Sequence, residues 1–272
     1  MIRKVTGQKD PVVVLMRGLV GEDGRRRSGR FLVEGEQLIR RAFDYGGKVN
    51  SLILTERFAA SPDSADLIER AGQTSAQVMM VTEGLLAKIL EAKPTPECLA
   101  IAERRVAALA DMFTAPCPLV LMVEHGENAD NLGMLLRSTD AAGVDGVILA
   151  ADTTDPFSRR VVRGSRGAVF TVPICIPRDP VKAIAEAKKA GLQVIATSAR
   201  SDIPYTAIDY DKPTMIIVGN EHVGISDAVR EHSDIVAGMP MRGRINSLNI
   251  AVAASVMLYE ALRQRATNRR NE

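Results

Sequence analysis

From Leu119 onward the chain alternates short, near-continuous runs of Val, Ile, Leu and Met with stretches of helical spacing. A strand with one face in water alternates apolar and polar residues. Leu119–Val123, Val147–Ala150, Val194–Thr197 and Met215–Val218 do not, so both of their faces must be covered. Val172–Ile176 and Ile235–Met239 extend the set of candidate strands. Candidate helices lie between and after them at 132–142, 159–163, 180–190, 227–232 and 248–265. Strands buried on both faces and joined by helices predict a parallel sheet with helical crossovers.

The first part of the chain repeats the alternation in shorter pieces. Strands are expected at 31–33, 49–55, 77–81 and 99–102, and helices at 37–45, 63–71 and 83–90. Residues 1–30 read as a polar, Gly- and Arg-rich segment apart from the apolar run Val12–Met16. At about 150 residues per domain, a chain of 272 residues holds about two. The expected division is a small α/β domain over 1–105, a linker over 106–117 without periodicity, and a second α/β domain over 118–272.

Several classes fall away on composition. No run approaches the roughly 18 apolar residues of a membrane helix. The first ten residues lack the apolar stretch of a secretory signal, so a cytoplasmic protein without membrane contact is expected. Three cysteines and three histidines stand far apart, which predicts neither a disulfide framework nor a metal site. The net charge of +2 is uninformative, but its basic excess sits early, densest at Arg25, Arg26, Arg27 and Arg30. Such a cluster suits phosphate, and equally suits a solvated loop.

Four stretches carry chemistry. Asn131-Leu-Gly133-Met-Leu-Leu-Arg137 follows a buried strand and a polar loop, with Asn131 as the expected helix cap. Ligands of open parallel sheets bind beyond the carboxyl ends of the strands, so this helix start is a candidate site. Gly219-Asn220-Glu221-His222-Val-Gly224 follows another buried strand. It is neither a phosphate loop nor a dinucleotide fingerprint, and its acidic residue suits a cationic or ribose-bearing ligand. Pro240-Met241 and Ser247-Leu248-Asn249 precede a long helix rich in small residues, with Ser247 or Asn246 as the expected cap. Arg159, Arg160, Arg163 and Arg166 crowd beside Gly164 and Gly167, a pattern able to grip a polyanion.

Taken together and in this order, these residues resemble the SpoU (TrmH-type) RNA 2′-O-ribose methyltransferases of the SPOUT superfamily. The resemblance rests on Asn131, Gly133 and Arg137; on Gly219, Asn220, Glu221 and Gly224; and on Pro240, Met241, Ser247, Leu248 and Asn249. It covers about 119–264. The Phe31-Leu-Val-Glu34-Gly35 and Pro94–Ala100 stretches resemble the family's L30e-like substrate-binding extension. The implied fold is a parallel-sheet SPOUT domain with a trefoil knot, preceded by a small L30e-like α/β domain. The implied partners are S-adenosyl-L-methionine, RNA and a second copy of the chain, with no metal. The donor would lie against Thr197, Gly219, Asn220, Gly224, Met239 and Leu248, held by backbone groups. Arg137 would act at the ribose or its phosphate, oriented with the ribose by Asn131, Glu221, Ser247 and Asn249. Arg25, Arg26, Arg27, Arg30, Arg163 and Arg166 would contact RNA.

On this resemblance the expected reaction is ribose 2′-O-methylation of structured RNA, with 23S rRNA ahead of transfer RNA. A non-catalytic RNA-binding protein, an enzyme acting on another nucleotide, and a base methyltransferase remain as alternatives.

Overall fold

The computed structural model describes residues 2–5, 7–150, 152–220 and 222–268. The chain forms two compact units, Met1–Arg104 with Asp155–Phe170, and Arg105–Thr154 with Thr171–Glu272.

The first unit runs β1 (Arg3–Lys4), α1 (Pro11–Val20), α2 (Glu22–Ser28), β2 (Arg30–Glu34), α3 (Glu36–Asp44), β3 (Val49–Thr55), α4 (Glu56–Ala59), α5 (Ser64–Gln73), β4 (Gln77–Val81), α6 (Glu83–Leu90) and β5 (Cys98–Glu103). The sheet order is β1-β4-β3-β5-β2, with β5 antiparallel to both of its neighbours. The segment read as polar and rich in Gly and Arg, for which no helix was expected, forms α1 and α2. Asp10 caps α1, Pro11 starts it, and Val12, Val13, Met16 and Leu19 recur at helical spacing on its buried face.

The segment 155–170, placed by chain order in the second domain, packs with this first unit. Its helix α8 (Arg159–Gly164) is flanked by Phe157 and Phe170, whose rings lie 5.1 and 5.8 Å from that of Phe31. Glu34 pairs with Arg159, and Arg25 with Asp155. Apolar stacking and ion pairs thus fasten the segment at several points.

The second unit contains β6 (Leu119–Val123), α7 (Ala129–Ala141), β7 (Gly146–Leu149), β8 (Ile174–Cys175), α9 (Pro180–Lys189), β9 (Gln193–Thr197), β10 (Thr214–Val218), α10 (Asp227–His232), β11 (Ile235–Ala237) and α11 (Ile250–Asn268). The six strands are all parallel in the order β11-β9-β10-β6-β7-β8. Every residue of β6, β7 and β10 is buried, as continuous apolar runs require. The stretch read as a linker is docked here: a 3₁₀ turn at Leu109–Phe113 buries Met112 directly over Gly146.

The cysteines divide by burial. Cys98 and Cys175 are buried and Cys117 is half-exposed. Burial pushes the Cys98 thiol up to about 12 and also raises that of Cys175. The thiolate is the reactive form. A thiol reagent at pH 8 should therefore modify Cys117 rapidly in the native protein and the other two only on unfolding. Mass mapping of the labelled peptides checks this.

Candidate active site

The carboxyl ends of β9, β10 and β11 lie side by side, and a cavity of about 280 Å³ opens beyond them. Thr197, Gly219, Asn220, Gly224, Met239 and Leu248 all line it, so the structure brings the donor-site residues expected from the resemblance to one cavity. The backbone there allows little else. A Cβ on Gly219 would meet the carbonyl of Gly224 at 2.3 Å, so the turn after β10 admits only glycine. Gly224, at φ +74, closes that turn by donating its N–H to the carbonyl of Asn220. Beyond β11, a Cβ on Gly238 would meet the Ser201 carbonyl at 2.2 Å. Gly238 also donates to Ile203 O and accepts from Tyr205 N, which draws the two segments into contact.

Several side chains here shape the cavity through protein contacts. Thr197 Oγ1 donates to Ile217 O at 3.1 Å. Asn220 Oδ1 accepts from the N–H of His222 at 2.7 Å, and its Nδ2 donates to His125 O at 3.3 Å. Glu124, just past β6, is buried and accepts from both the N–H and the hydroxyl of Ser226 at 2.8 and 2.7 Å. It anchors the far end of the 219–226 turn. Sequence reasoning missed Glu124; its signal is a carboxylate immediately after a wholly apolar strand. By contrast, the main-chain groups of Gly219, Met239 and Leu248 have no hydrogen-bond partner among the described residues. Polar backbone at a cavity wall needs a partner, and these groups are available to a ligand.

A second cavity, of about 640 Å³, adjoins the first and shares Asn220, His222, Ser247 and Leu248 with it. His125, Glu127, Asn128, Asn131 and Asn249 add to its polar lining. His125 adopts φ +57 and its ring pairs with Asp152. Two expected caps are corrected. Asn128, not Asn131, caps α7, accepting from Asp130 N and Asn131 N. Asn131 lines the cavity instead. Asn249, not Ser247 or Asn246, caps α11, its Oδ1 accepting from Ala251 N at 3.0 Å. Its Nδ2 donates to Asn131 Oδ1 at 2.9 Å. One amide therefore fixes the starts of two helices and the cavity wall between them. Asn249→Ala should lower stability by about 1 kcal/mol through the lost cap. Asn249→Ser should keep the cap and the melting temperature yet still lose the link to Asn131. Thermal denascence of both variants beside their activity separates the two roles.

Arg137 lies six residues beyond Asn131, about 9 Å along the helix axis. It is exposed, lines neither cavity, and has no hydrogen-bond or ion-pair partner among the described residues. Glu221 lies outside the described residues.

The arginines expected to meet RNA separate. Arg25 is corrected: it is 4% exposed, and its guanidinium is taken up by Asp155, Leu19 O and Val20 O. It is not available to phosphate. Arg26 and Arg27 are exposed on α2, with Arg26 paired to Glu22, and Arg30 is half-buried in β2. Arg163 and Arg166 are exposed and share a 290 Å³ cleft of the first unit with Arg41, which sequence reasoning had not assigned. Both carboxylates of that cleft are engaged, Glu34 by Arg159 and Glu36 by Arg40.

Known proteins match this arrangement. The SpoU rRNA Methylase family model matches residues 118–259, and an MRM3-like substrate binding domain model matches residues 11–100. The chain belongs to the SpoU rRNA methylase family. The 23S rRNA (guanosine(2553)-2′-O)-methyltransferase of Bacillus subtilis is 28% identical over 95% of this chain and 98% of that protein. The 23S rRNA (uridine(2479)-2′-O)-methyltransferase of Streptomyces viridochromogenes is 30% identical over 93% and 90%. The crystal structure of an AdoMet-bound rRNA methyltransferase from Sinorhizobium meliloti superposes with a TM-score of 0.86 at 31% identity, over 96% and 98% of the two chains. The SpoU match spans all three motif stretches of the second unit and both cavities.

Proposed function

We propose that this chain transfers a methyl group from S-adenosyl-L-methionine to a ribose 2′-hydroxyl of ribosomal RNA, with 23S rRNA the expected substrate. The observation that carries this reading is the open main chain at Gly219, Met239 and Leu248 on the wall of the first cavity. Backbone donors and acceptors there suit an adenosine, and the apolar Val218, Ile225, Ala237 and Ile250 beside them suit its ring. Bound there, S-adenosylmethionine supplies an electrophilic methyl on a sulfonium. The adjoining polar cavity, with Asn131 and Asn249 tied together, receives the target ribose and holds its hydroxyl in line, and such positioning lowers the barrier.

A guanidinium is a poor base, since its pKa lies above about 12. Arg137 therefore orients the target phosphate and stabilises the alkoxide that develops, the hydroxyl proton passing to solvent water while the C–S bond breaks and the donor would leave as its neutral thioether. It cannot do so from outside both cavities of its own chain, and this supports a homodimer. Met134 shares the exposed face of α7 with Arg137 and is 47% exposed; on α11, Val252 and Tyr259 are 48% and 51% exposed. Pairing of these faces would cover the apolar side chains and carry Arg137 into the partner's site. Tyr259→Glu should convert the dimer to monomer, read by sedimentation, and abolish transfer while donor binding persists.

Arg163, Arg166 and Arg41, with Arg26, Arg27 and Arg30, contact RNA phosphates in this proposal. The trefoil knot of the SPOUT fold and action in the cytoplasm belong to the same proposal. Among the described residues no helix is long and apolar enough to cross a membrane. The test is transfer of labelled methyl from S-adenosylmethionine to separated ribosomal and transfer RNA. Recovery of a 2′-O-methyl nucleoside from large-subunit rRNA is expected. Donor binding with label only in transfer RNA, or only on a base, would overturn the assignment.

A further inference from the structure

We infer that Arg200 holds the carboxylate of the donor and makes the first cavity selective for a carboxylated sulfonium; this rests on the donor reading above. The cavity lining combines apolar side chains, Val218, Ala237, Met239 and Ile250, with the titratable Arg200, Arg230 and His222, and includes no carboxylate among the described residues. A ligand with an aromatic body and an anionic end matches that composition. S-adenosylmethionine has such an end, although its sulfonium and ammonium leave it cationic overall. A basic lining accepts it only where a guanidinium meets the carboxylate.

Arg200 is the better placed of the two arginines. It closes the Thr197–Arg200 stretch that leaves β9 and lines the cavity at every residue. A short turn fixes its backbone, with its N–H donated to Ser198 Oγ at 3.2 Å. Its guanidinium has no ion-pair or hydrogen-bond partner among the described residues. Arg230 sits one helical turn from Asp227, at 4.0 Å, and is partly neutralised by it. Guanidinium–carboxylate pairs are strong and directional, and a single such contact corresponds to about tenfold or more in affinity.

The experiment is isothermal titration of the full-length chain with two probes, S-adenosylmethionine and its decarboxylated analogue. The wild type should bind the carboxylated probe about tenfold more tightly or better. Arg200→Ala should weaken that probe to the level of the analogue. Binding of the analogue should be unchanged or slightly tightened, since it also escapes a positive neighbour. Arg200→Lys should retain part of the preference. Arg200 is exposed, so these substitutions leave the fold intact. An equal preference in Arg200→Ala and wild type would overturn the inference, as would loss of the preference in Arg230→Ala alone. If the wild type bound neither probe, the donor reading itself would fall. If it bound both equally, only the carboxylate contact would.

Discussion

Arg137→Ala should lower methyl transfer to ribosomal RNA by about 10²–10³-fold while leaving the melting temperature and donor affinity at wild-type values. The stability half follows from exposure. Within its own chain the side chain is exposed and has no hydrogen-bond or ion-pair partner among the described residues. Donor affinity should hold because Arg137 lines neither cavity. The rate half follows from charge. A deprotonating ribose hydroxyl develops an oxyanion, and a guanidinium aimed at it is worth most when water is excluded. Arg137→Lys keeps the charge but loses the planar fork that grips phosphate and ribose together, so it should recover little. Single-turnover assays at saturating donor give the rate, and titration gives donor affinity. If Arg137→Ala retained near wild-type turnover, the assignment would fail. Mixed dimers offer a sharper check. A dimer of one Arg137→Ala chain and one chain crippled in the donor cavity should regain one working site, because the intact arginine would meet the intact cavity across the interface.

The parallel sheet of the second unit was legible because burial on both faces leaves an unbroken apolar run, and Leu119–Val123 and Met215–Val218 are such runs. The residues that the motif resemblance assigns to the donor line the first cavity together. Other features were not legible because they depend on partners distant in sequence. Arg25 lies in a run of arginines that looks solvated, and the carboxylate that pairs with it in its buried position, Asp155, is 130 residues away. The caps went to Asn128 and Asn249 instead of their near neighbours because several cap-forming residues stand together, and tertiary contacts choose among them. As the cap, Asn249 sits where asparagine is favoured. The helix over 11–20 was hidden by three consecutive valines, which favour strands.

Asp155→Ala should destabilise the protein by about 3–5 kcal/mol, the range expected when one partner of a buried ion pair is removed. The side chains of Arg25 and Asp155 are only 5% and 4% exposed, and Nε lies 2.6 Å from Oδ2. The other oxygen of Asp155 accepts from Phe157 N at 3.0 Å and lies 3.9 Å from Arg104, whose guanidinium stacks over the Phe157 ring. Burial already disfavours the charge on Arg104, and Asp155 opposes that effect. Removing the carboxylate would strand two guanidiniums away from water. Asp155→Asn should cost less than the alanine variant, because the amide oxygen can still accept from Phe157 N, although the amide nitrogen then faces Arg25 Nε and that hydrogen bond is lost with the charge. Arg25→Met combined with Asp155→Leu should recover part of the stability, since apolar replacement of both partners removes the unpaired charge. Recovery stays partial because Arg104 remains without its carboxylate. Urea denaturation of the single and double variants gives these differences directly. A shift below about 1 kcal/mol in Asp155→Ala would mean that water reaches the pair, as at an exposed salt bridge. Function should follow stability here. The pair fastens the segment that presents Arg163 and Arg166, so loosening it should weaken RNA binding at temperatures where the protein is still folded, with donor binding unaffected.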